Sequence, residues 1–189
     1  MKHVNQMMQI IQTGFEGLIE IIPAIYRDHR GWFTESFKSD TYRHYNLDYT
    51  FVQDNLSFSS KGVLRGLHFQ KQPYEQGKLI KVISGKVLDV ALDLRPDSMT
   101  FGKHYKVILN GDQQNLFYLP EGFAHGFVAL EDSYLFYKCT QLYHKESDSG
   151  IAYNDPELNI DWGFDNPILS EKDKNLPSFA AFRSSIGLK

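Results

Sequence analysis

Residues 77–96 read GKLIKVISGKVLDVALDLRP, and their side chains alternate in character from one position to the next. In the second half of this stretch, leucine and valine fill one set of alternate positions, whereas Asp89, Ala91 and Asp93 fill the other. Because successive side chains of a β-strand point to opposite faces of a sheet, this period of two predicts strands rather than helices. The pattern is interrupted at Ser84–Gly85, so we expect two strands with a break between them.

The same pattern continues through much of the chain. Residues 104–130 predict further strands, with Asn110–Gly111 as a turn signal, and residues 133–144 predict another. Helices are expected to be short, one at about 38–46 and another opening at Ser170. Many short strands with few helices predict an all-β fold, an antiparallel sandwich or barrel.

The composition limits the size and the chemistry of the protein. Its 189 residues suffice for one domain with a complete core, and 42% hydrophobic with 23% charged residues is typical of a soluble globule. A net charge of −3 argues against broad nucleic-acid binding but leaves room for a local basic pocket. The single cysteine, Cys139, is expected to be a buried hydrophobe. Neither a signal peptide nor a membrane span is evident, so a cytoplasmic location is expected.

An arginine and a histidine interrupt the strand-like stretch VLRGLHFQ at residues 63–70. A buried strand has little use for either residue unless each has a partner. Under strict alternation, Arg65 and His68 point to opposite faces. Both can reach one cavity only if the strand bulges or if Arg65 lies at the rim. Gly66 between them permits such a bulge.

The stretch PEGFAHGF at residues 120–127 resembles the second cupin motif, Pro-x-Gly-x-x-His between two strands. This resemblance implies a jelly roll with a ligand cavity between its sheets. Typical cupins hold a metal with a His-x-His pair, a glutamate and the later histidine, but here the pair is missing. His68, Glu75 and His125 could still bind zinc. Since Glu75 lies in a polar loop, a cavity that works without metal is the favoured interpretation.

Two tyrosines stand six residues apart in one strand-like run, Tyr137 and Tyr143. On a regular strand they share a face, with backbones roughly 20 Å apart. That separation is about the length of a nucleotide-sugar, so one ring could act at a sugar while the other stacks on a base. Filling of the core is the alternative.

Near the C-terminus, Ser170 followed by Asp173 is typical of a helix N-cap with an acidic residue three positions later. Capping alone explains Asp173. A second interpretation is that Asp173 orients a histidine, as in His–carboxylate dyads.

Together, these features resemble the dTDP-4-dehydrorhamnose 3,5-epimerase family from about residue 14 to residue 180. The stretches that carry the resemblance, in family-like order and spacing, are DHRGWFTESF (28–37), FVQDN (51–55), GVLRGLHFQ (62–70), QGKLIKVISGKVLDVALDLR (76–95), TFGKH (100–104), LPEGFAHGF (119–127), FYKCT (136–140) and LSEKD (169–173). The resemblance implies one jelly-roll domain over residues 1–189, with N-terminal strands that contribute to the sheet and site of a partner in a homodimer and a short helical C-terminal region. It implies dTDP-4-dehydro-6-deoxy-D-glucose as substrate, dTDP-4-dehydro-L-rhamnose as product, and no cofactor.

The resemblance also implies roles for individual residues. His68 matches the base of the family, Asp173 its dyad partner, and Tyr137 the acid on the opposite face of the sugar. Lys78 matches a lysine near the 4-keto oxygen. The implied substrate contacts are Arg30, Gln53 and Arg65 for the diphosphate and nucleotide, Phe33, Glu35 and Tyr143 around the thymidine, and Asp89 and His125 in the pocket. Asn55 is a further expected substrate contact.

These residue types suit the reaction. Carbons 3 and 5 flank the ketone at carbon 4, so their hydrogens are acidified, and a neutral histidine is a suitable base near physiological pH. Lys78 can stabilise the enolate, and Tyr137 can deliver a proton from the other face. A single-position epimerase of another deoxysugar pathway, a non-catalytic sugar-nucleotide-binding cupin and a metal-dependent cupin enzyme are the alternatives.

Overall fold

The computed structural model describes residues 7–188, so the first six residues and the last residue of the predicted domain lie outside the described part. The strands are β1 (Gln9–Gln12), β2 (Ile19–Ile22), β3 (Tyr26–Asp28), β4 (Gly31–Phe33), β5 (Gln53–Ser59), β6 (Leu64–Gln70), β7 (Lys78–Ser84), β8 (Lys86–Asp93), β9 (His104–Asn110), β10 (Leu116–Leu119), β11 (Phe123–Ala129), β12 (Ser133–Cys139) and β13 (Asp148–Gly150). The helices are α1 (Ser39–His44), α2 (Glu171–Lys174) and α3 (Phe179–Ser185), and a 3-10 turn spans Lys145–Ser147. The expected all-β, jelly-roll class with a few short helices is confirmed.

Two antiparallel sheets form the body of the fold. One has six strands in the order β1-β2-β10-β7-β12-β5, and the other has five in the order β13-β6-β11-β8-β9. The strands β3 and β4 form a separate hairpin. Since consecutive strands alternate between the sheets in much of the chain, both sheets contribute walls to the space between them.

Two hydrophobic clusters cover the two faces of the five-stranded sheet, and a third packs Ile21, Leu79 and Leu116 of the six-stranded sheet against Tyr42 of α1. The first two border the space between the sheets and the C-terminal segment, respectively. The inner cluster joins side chains of the two sheets, among them Ile80, Val82, Val87, Ala91, Leu109, Phe117, Phe127 and Leu135. The outer cluster joins Leu64, Val90, Leu92 and Val128 to the C-terminal segment through Ile151, Leu158, Trp162 and Phe179. Burying each such leucine or phenylalanine side chain stabilises the fold by roughly 1.5–3 kcal/mol.

The leucine face of β8 therefore packs beneath the C-terminal segment, while the Asp89–Ala91 face points to the interior of the sandwich. Both faces of this strand are covered, which explains why every residue from Asp89 to Asp93 is buried. None of the helices within residues 7–188 is both long and apolar enough to span a membrane.

The predicted single strand over residues 133–144 is wrong in its second half, because β12 ends at Cys139. Beyond that point, side-chain amides take over as backbone partners. The Tyr143 N–H donates to Gln53 Oε1 at 2.8 Å, and the His144 N–H donates to Gln70 Oε1 at 2.7 Å. These bonds hold the segment as a loop, so Tyr137 and Tyr143 do not share a strand face.

Candidate active site

A cavity of about 320 Å³ opens where the starts of β5 and β7 meet the ends of β6 and β12. Its walls come from both sheets, from the loop after β12 and from α2. The lining residues are Gln53, Asn55, His68, Phe69, Gln70, Gln76, Lys78, Tyr137, Tyr143, Asp148 and Lys172. Six of the residues singled out from the sequence are thus brought together here: Gln53, Asn55, His68, Lys78, Tyr137 and Tyr143.

A bulge in β6 places His68 at this cavity. His68 pairs with His125 of β11 and Arg65 pairs with Phe127, so three steps along β6 face two steps along β11. Gly66 lies within the bulge with φ of 124°, and a Cβ atom there would lie 2.4 Å from the Gly126 Cα. The bulge predicted at Gly66 is confirmed. Since residues two apart on β11 share a face, their partners on β6 also share one.

Arg65 lies at the rim rather than in the lining. Its Nε donates to Ser59 Oγ at 3.0 Å and its Nη2 donates to the Phe58 carbonyl at 3.1 Å, both on β5. Its positive charge opposes the rise that burial produces in the pKa of Tyr137. Arg65 can therefore reach a ligand that extends out of the cavity.

His68 and Asp173 form a close pair across the cavity wall. The distance from His68 Nε2 to Asp173 Oδ1 is 2.5 Å, and Asp173 is only 4% exposed. Asp173 is also held by the N-cap of α2, since its backbone N–H donates to Ser170 Oγ at 3.1 Å. Burial acts to raise the pKa of Asp173, but hydrogen bonds from His68 and Ser170 outweigh it and leave this pKa lowered. The two interpretations of Asp173, helix cap and histidine partner, both describe the structure.

Lys78 and Tyr137 lie on the opposite wall, in β7 and β12 of the six-stranded sheet. Burial lowers the pKa of Lys78, although nearby groups that include Cys139, Asp89 and Asp148 oppose this shift. Burial raises the pKa of Tyr137, so its phenol keeps its proton at neutral pH. The site therefore sets a histidine–carboxylate pair against a lysine side chain and a protonated phenol.

Tyr143 reaches the mouth of the cavity from the loop after β12. Its hydroxyl donates to Asp148 Oδ2 at 3.1 Å, and Lys172 Nζ donates to the same oxygen at 2.5 Å. Sequence reasoning did not identify Asp148 or Lys172 as site residues. Lys172 stands inside the LSEKD stretch and could have been found from it, whereas no spacing signal marked Asp148.

Gln53 and Asn55 form a polar part of the cavity lining beside Cys139. Gln53 Nε2 donates to Asn55 Oδ1 at 3.0 Å, and Asn55 Nδ2 lies 3.5 Å from Cys139 Sγ. Cys139 is buried, as expected, and its burial raises the pKa of the thiol. The amides of Gln53 and Asn55 face the cavity and can contact a polar ligand there.

Asp89 and His125 are assigned to the pocket by resemblance, but neither lines the cavity. They form a buried pair behind it, with His125 Nε2 at 3.0 and 2.9 Å from the two carboxylate oxygens of Asp89. Burial raises the pKa of Asp89, while His125 and Lys78 act against that rise. The carboxylate of Asp89 also acts to raise the pKa of Lys78, against the effect of burial.

Arg30, Phe33 and Glu35 are not brought to the cavity of their own chain. Arg30 and Phe33 belong to the exposed β3–β4 hairpin, where Arg30 donates to the carboxylate of Asp28. Glu35 lines a different depression, beside α1. Within one chain, these three predicted contacts are separate from the other site residues.

The alternative metal set is not assembled. Glu75 lines a groove next to α3 rather than the cavity that holds His68. Over the described range 7–188, no three or more His, Cys, Asp and Glu side chains form a group that could hold a metal ion.

Comparison with known proteins places this geometry in a family. A family model described as dTDP-4-dehydrorhamnose 3,5-epimerase matches residues 12–181, which include every residue of the cavity wall. The dTDP-4-dehydrorhamnose 3,5-epimerases of Methanothermobacter thermautotrophicus and Escherichia coli are 49% and 47% identical to the chain. The first alignment covers 88% of this chain and 92% of the relative, and the second covers 89% and 93%.

A solved structure is similar over almost the whole chain. It is a dTDP-6-deoxy-D-glucose-3,5-epimerase from Legionella pneumophila in complex with dTDP-4-keto-L-rhamnose, with a TM-score of 0.90 and 45% identity. The match covers 96% of this chain and 98% of that one. Because sequence and fold agree over almost the whole chain, it belongs to the dTDP-4-dehydrorhamnose 3,5-epimerase family.

Proposed function

We propose that this cavity converts dTDP-4-dehydro-6-deoxy-D-glucose to dTDP-4-dehydro-L-rhamnose by inverting carbons 3 and 5. The observation that carries the proposal is the His68–Asp173 pair on one wall, opposite Lys78 and Tyr137 on the other. A base, a cation and an acid thus surround one space. Membership of an epimerase family supports an isomerase that acts on a sugar nucleotide.

His68 is the base in this proposal. With its Nε2 proton donated to Asp173, the neutral ring keeps a lone pair on Nδ1, which removes the proton from carbon 3 or carbon 5. The Asp173 carboxylate then stabilises the imidazolium that forms.

Lys78 and Tyr137 complete the reaction. The enolate that forms at oxygen 4 is stabilised by the ammonium group of Lys78, which acts strongly because the site is partly shielded from water. Tyr137 returns a proton from the opposite wall, so the configuration at carbon is inverted. The raised pKa of Tyr137 keeps this proton available.

The nucleotide is assigned to the mouth of the cavity. Tyr143 offers a flat ring for thymine, and the guanidinium of Arg65 at the rim suits the diphosphate. Gln53, Asn55 and Lys172 add polar contacts on the path between them.

A homodimer would bring Arg30, Phe33 and Glu35 into use. The β3–β4 hairpin exposes aromatic rings, with Phe33 64% exposed, and the outer face of the six-stranded sheet exposes Leu56, Phe58, Ile83 and Tyr134. Exposed apolar patches and open sheet edges are typical of protein interfaces. We infer that two chains pair through this face and that each hairpin completes the cavity of its partner.

A cytoplasmic location stays a proposal, which cell fractionation tests.

Mixing two inactive variants tests the dimer. A chain with Phe33→Ala and a chain with His68→Ala should each be impaired, but mixed dimers should regain activity at the cavity that has His68 and receives an intact hairpin. If the hairpin served its own chain, mixing would restore nothing. Light scattering on the same samples gives the oligomeric state.

A coupled assay tests the reaction. The protein is incubated with dTDP-4-dehydro-6-deoxyglucose, then with a dTDP-4-dehydrorhamnose reductase and NADPH, and the product sugar is identified. dTDP-L-rhamnose supports the double epimerase. A sugar inverted at one carbon would indicate the single-position epimerase, and binding of dTDP without turnover would indicate a binding protein.

A further inference from the structure

The helix that carries Asp173 is too short to hold its own position. α2 has only four residues, Glu171–Lys174, and apart from Asp173 they are exposed. A single turn of helix is not stable in water without tertiary contacts. The carboxylate of Asp173 must therefore be held in place by specific bonds.

Ser170 supplies two of these bonds. Its Oγ accepts from the Asp173 backbone N–H at 3.1 Å and donates to Asp173 Oδ2 at 2.8 Å. An ionised carboxylate only accepts hydrogen bonds, so the proton between Oγ and Oδ2 belongs to the serine. Because Oδ1 contacts His68, each carboxylate oxygen has its own partner and the carboxylate plane is fixed between them.

The main chain around Ser170 is anchored on both sides. Just before it, the Ile168 N–H donates to the Gly62 carbonyl at 2.8 Å, and the Leu64 N–H donates to the Ile168 carbonyl at 2.9 Å. Just after α2, the Ala152 N–H donates to the Pro177 carbonyl at 2.8 Å. The serine hydroxyl is therefore a rigid donor, attached close to the start of the strand that carries His68.

We propose that Ser170 is a positioning residue that orients the Asp173 carboxylate and thereby keeps the His68 proton on Nε2. The free Nδ1 is then available as the base at every turnover. This role rests on the proposed function, in which His68 removes the substrate proton. It differs from capping, because it requires the serine to donate a proton as well as to accept one.

Variants at position 170 separate donation from capping. Glycine caps a helix nearly as well as serine, and aspartate caps it equally well, but neither can donate to Asp173. We expect Ser170→Gly and Ser170→Asp to lower kcat by about 10-fold or more, with KM within about twofold. The reason is that a displaced Asp173 carboxylate no longer holds the His68 ring in its productive orientation. Ser170→Thr keeps both bonds and should restore kcat to within about threefold of the parent.

Ser178 offers a matched control. It caps α3 in the same way, with its Oγ accepting from the Ala181 N–H at 3.2 Å, and it does not line the cavity. Ser178→Gly should therefore leave kcat within about twofold of the parent.

Nitrogen-15 NMR of the histidine rings, recorded without substrate, reads the tautomer directly. In the parent and in Ser170→Thr, His68 should hold its proton on Nε2; in Ser170→Gly the two tautomers should mix. A parent-like spectrum and parent-like kcat in both Ser170→Gly and Ser170→Asp would overturn the proposal, as would an equal loss in Ser178→Gly. Should Ser170→Gly fail to fold, Ser170→Asp decides alone. Lack of turnover by the parent would refute the proposed function instead.

Discussion

Two histidine–aspartate pairs lie side by side in this protein, and they differ in access to the cavity. His68 and His125 face each other in register across β6 and β11, and each binds an aspartate through Nε2. The side chain of His68 is 30% exposed and lines the cavity, whereas that of His125 is 9% exposed and does not. Similar chemistry is therefore accessible to a ligand in one pair and shielded in the other. We call His68–Asp173 the open pair and His125–Asp89 the sealed pair.

The two aspartates also come from different places. Asp89 belongs to β8, the strand next to His125 in the same sheet, so the sheet itself fixes the sealed pair. Asp173 arrives from a distant part of the chain on α2 and is held by Ser170. The sealed pair therefore lies within one sheet, while the open pair lies where a ligand in the cavity can contact His68.

The largest expected difference is between His68→Ala and His125→Ala. Losing His68 removes the proposed base, so kcat should fall by about 10³-fold or more while the fold persists. His125→Ala should lose stability and some activity but keep the proton chemistry. Steady-state kinetics with thermal unfolding of both variants measures this contrast, and near-parent activity in His68→Ala would end the assignment of the base.

Tyr137→Phe should have the next largest effect on turnover, because it removes the proton donor that faces the open pair. Turnover should fall by about 10²-fold, whereas exchange of substrate hydrogen with solvent, which needs only His68, should fall less. Both rates are measured on one sample in deuterated water. Equal losses in the two rates would argue that Tyr137 is not the acid.

Exchanging each aspartate for asparagine should have opposite consequences. Asp173→Asn should lower kcat by about 10-fold to 10²-fold, since the histidine loses its orienting carboxylate. Asp89→Asn should instead lower the free energy of unfolding by about 3 kcal/mol, because one partner of a buried pair is lost. Urea unfolding and steady-state kinetics on both variants measure the two effects. A main loss of stability in Asp173→Asn and a main loss of kcat in Asp89→Asn would contradict the assigned roles of the two pairs.

The smallest effect is on the pH dependence of stability, and its sign differs between the pairs. Folding lowers the pKa of Asp173, so its contribution is complete above the unfolded pKa and is lost as pH falls through the folded one. Folding raises the pKa of Asp89, so its contribution is present at low pH and is lost as pH rises through that window. Urea unfolding from about pH 3 to pH 6 should show a weaker acid loss in Asp173→Asn and a steeper one in Asp89→Asn.

Much of this fold could be predicted from local patterns. The period of two gave the strands, PEGFAHGF indicated the jelly roll, and Gly66 predicted the bulge that brings Arg65 and His68 to one side. These features depend on neighbouring residues only, which a single sequence contains. Ser170 and Asp173 were likewise found from their spacing, although the sequence did not show that capping and histidine binding occur together.

The rest depends on contacts between distant parts of the chain. The end of β12 and the position of Tyr143 are set by amides of Gln53 and Gln70, which lie far away in sequence. Asp148 lines the cavity because β13 pairs with β6, and no local sequence pattern predicts that pairing. Asp89 and His125 have pocket-like residue types, but only the packing shows that they face each other behind the wall.

In the proposed reaction the open pair, and not the sealed one, takes protons from the sugar. This assignment is tested most directly by NMR of dTDP-4-dehydro-6-deoxyglucose in deuterated water with the parent protein, His68→Ala and His125→Ala. We expect exchange at carbons 3 and 5 with the parent, none with His68→Ala, and measurable exchange with His125→Ala. Exchange that persists in His68→Ala and disappears in His125→Ala would contradict this assignment.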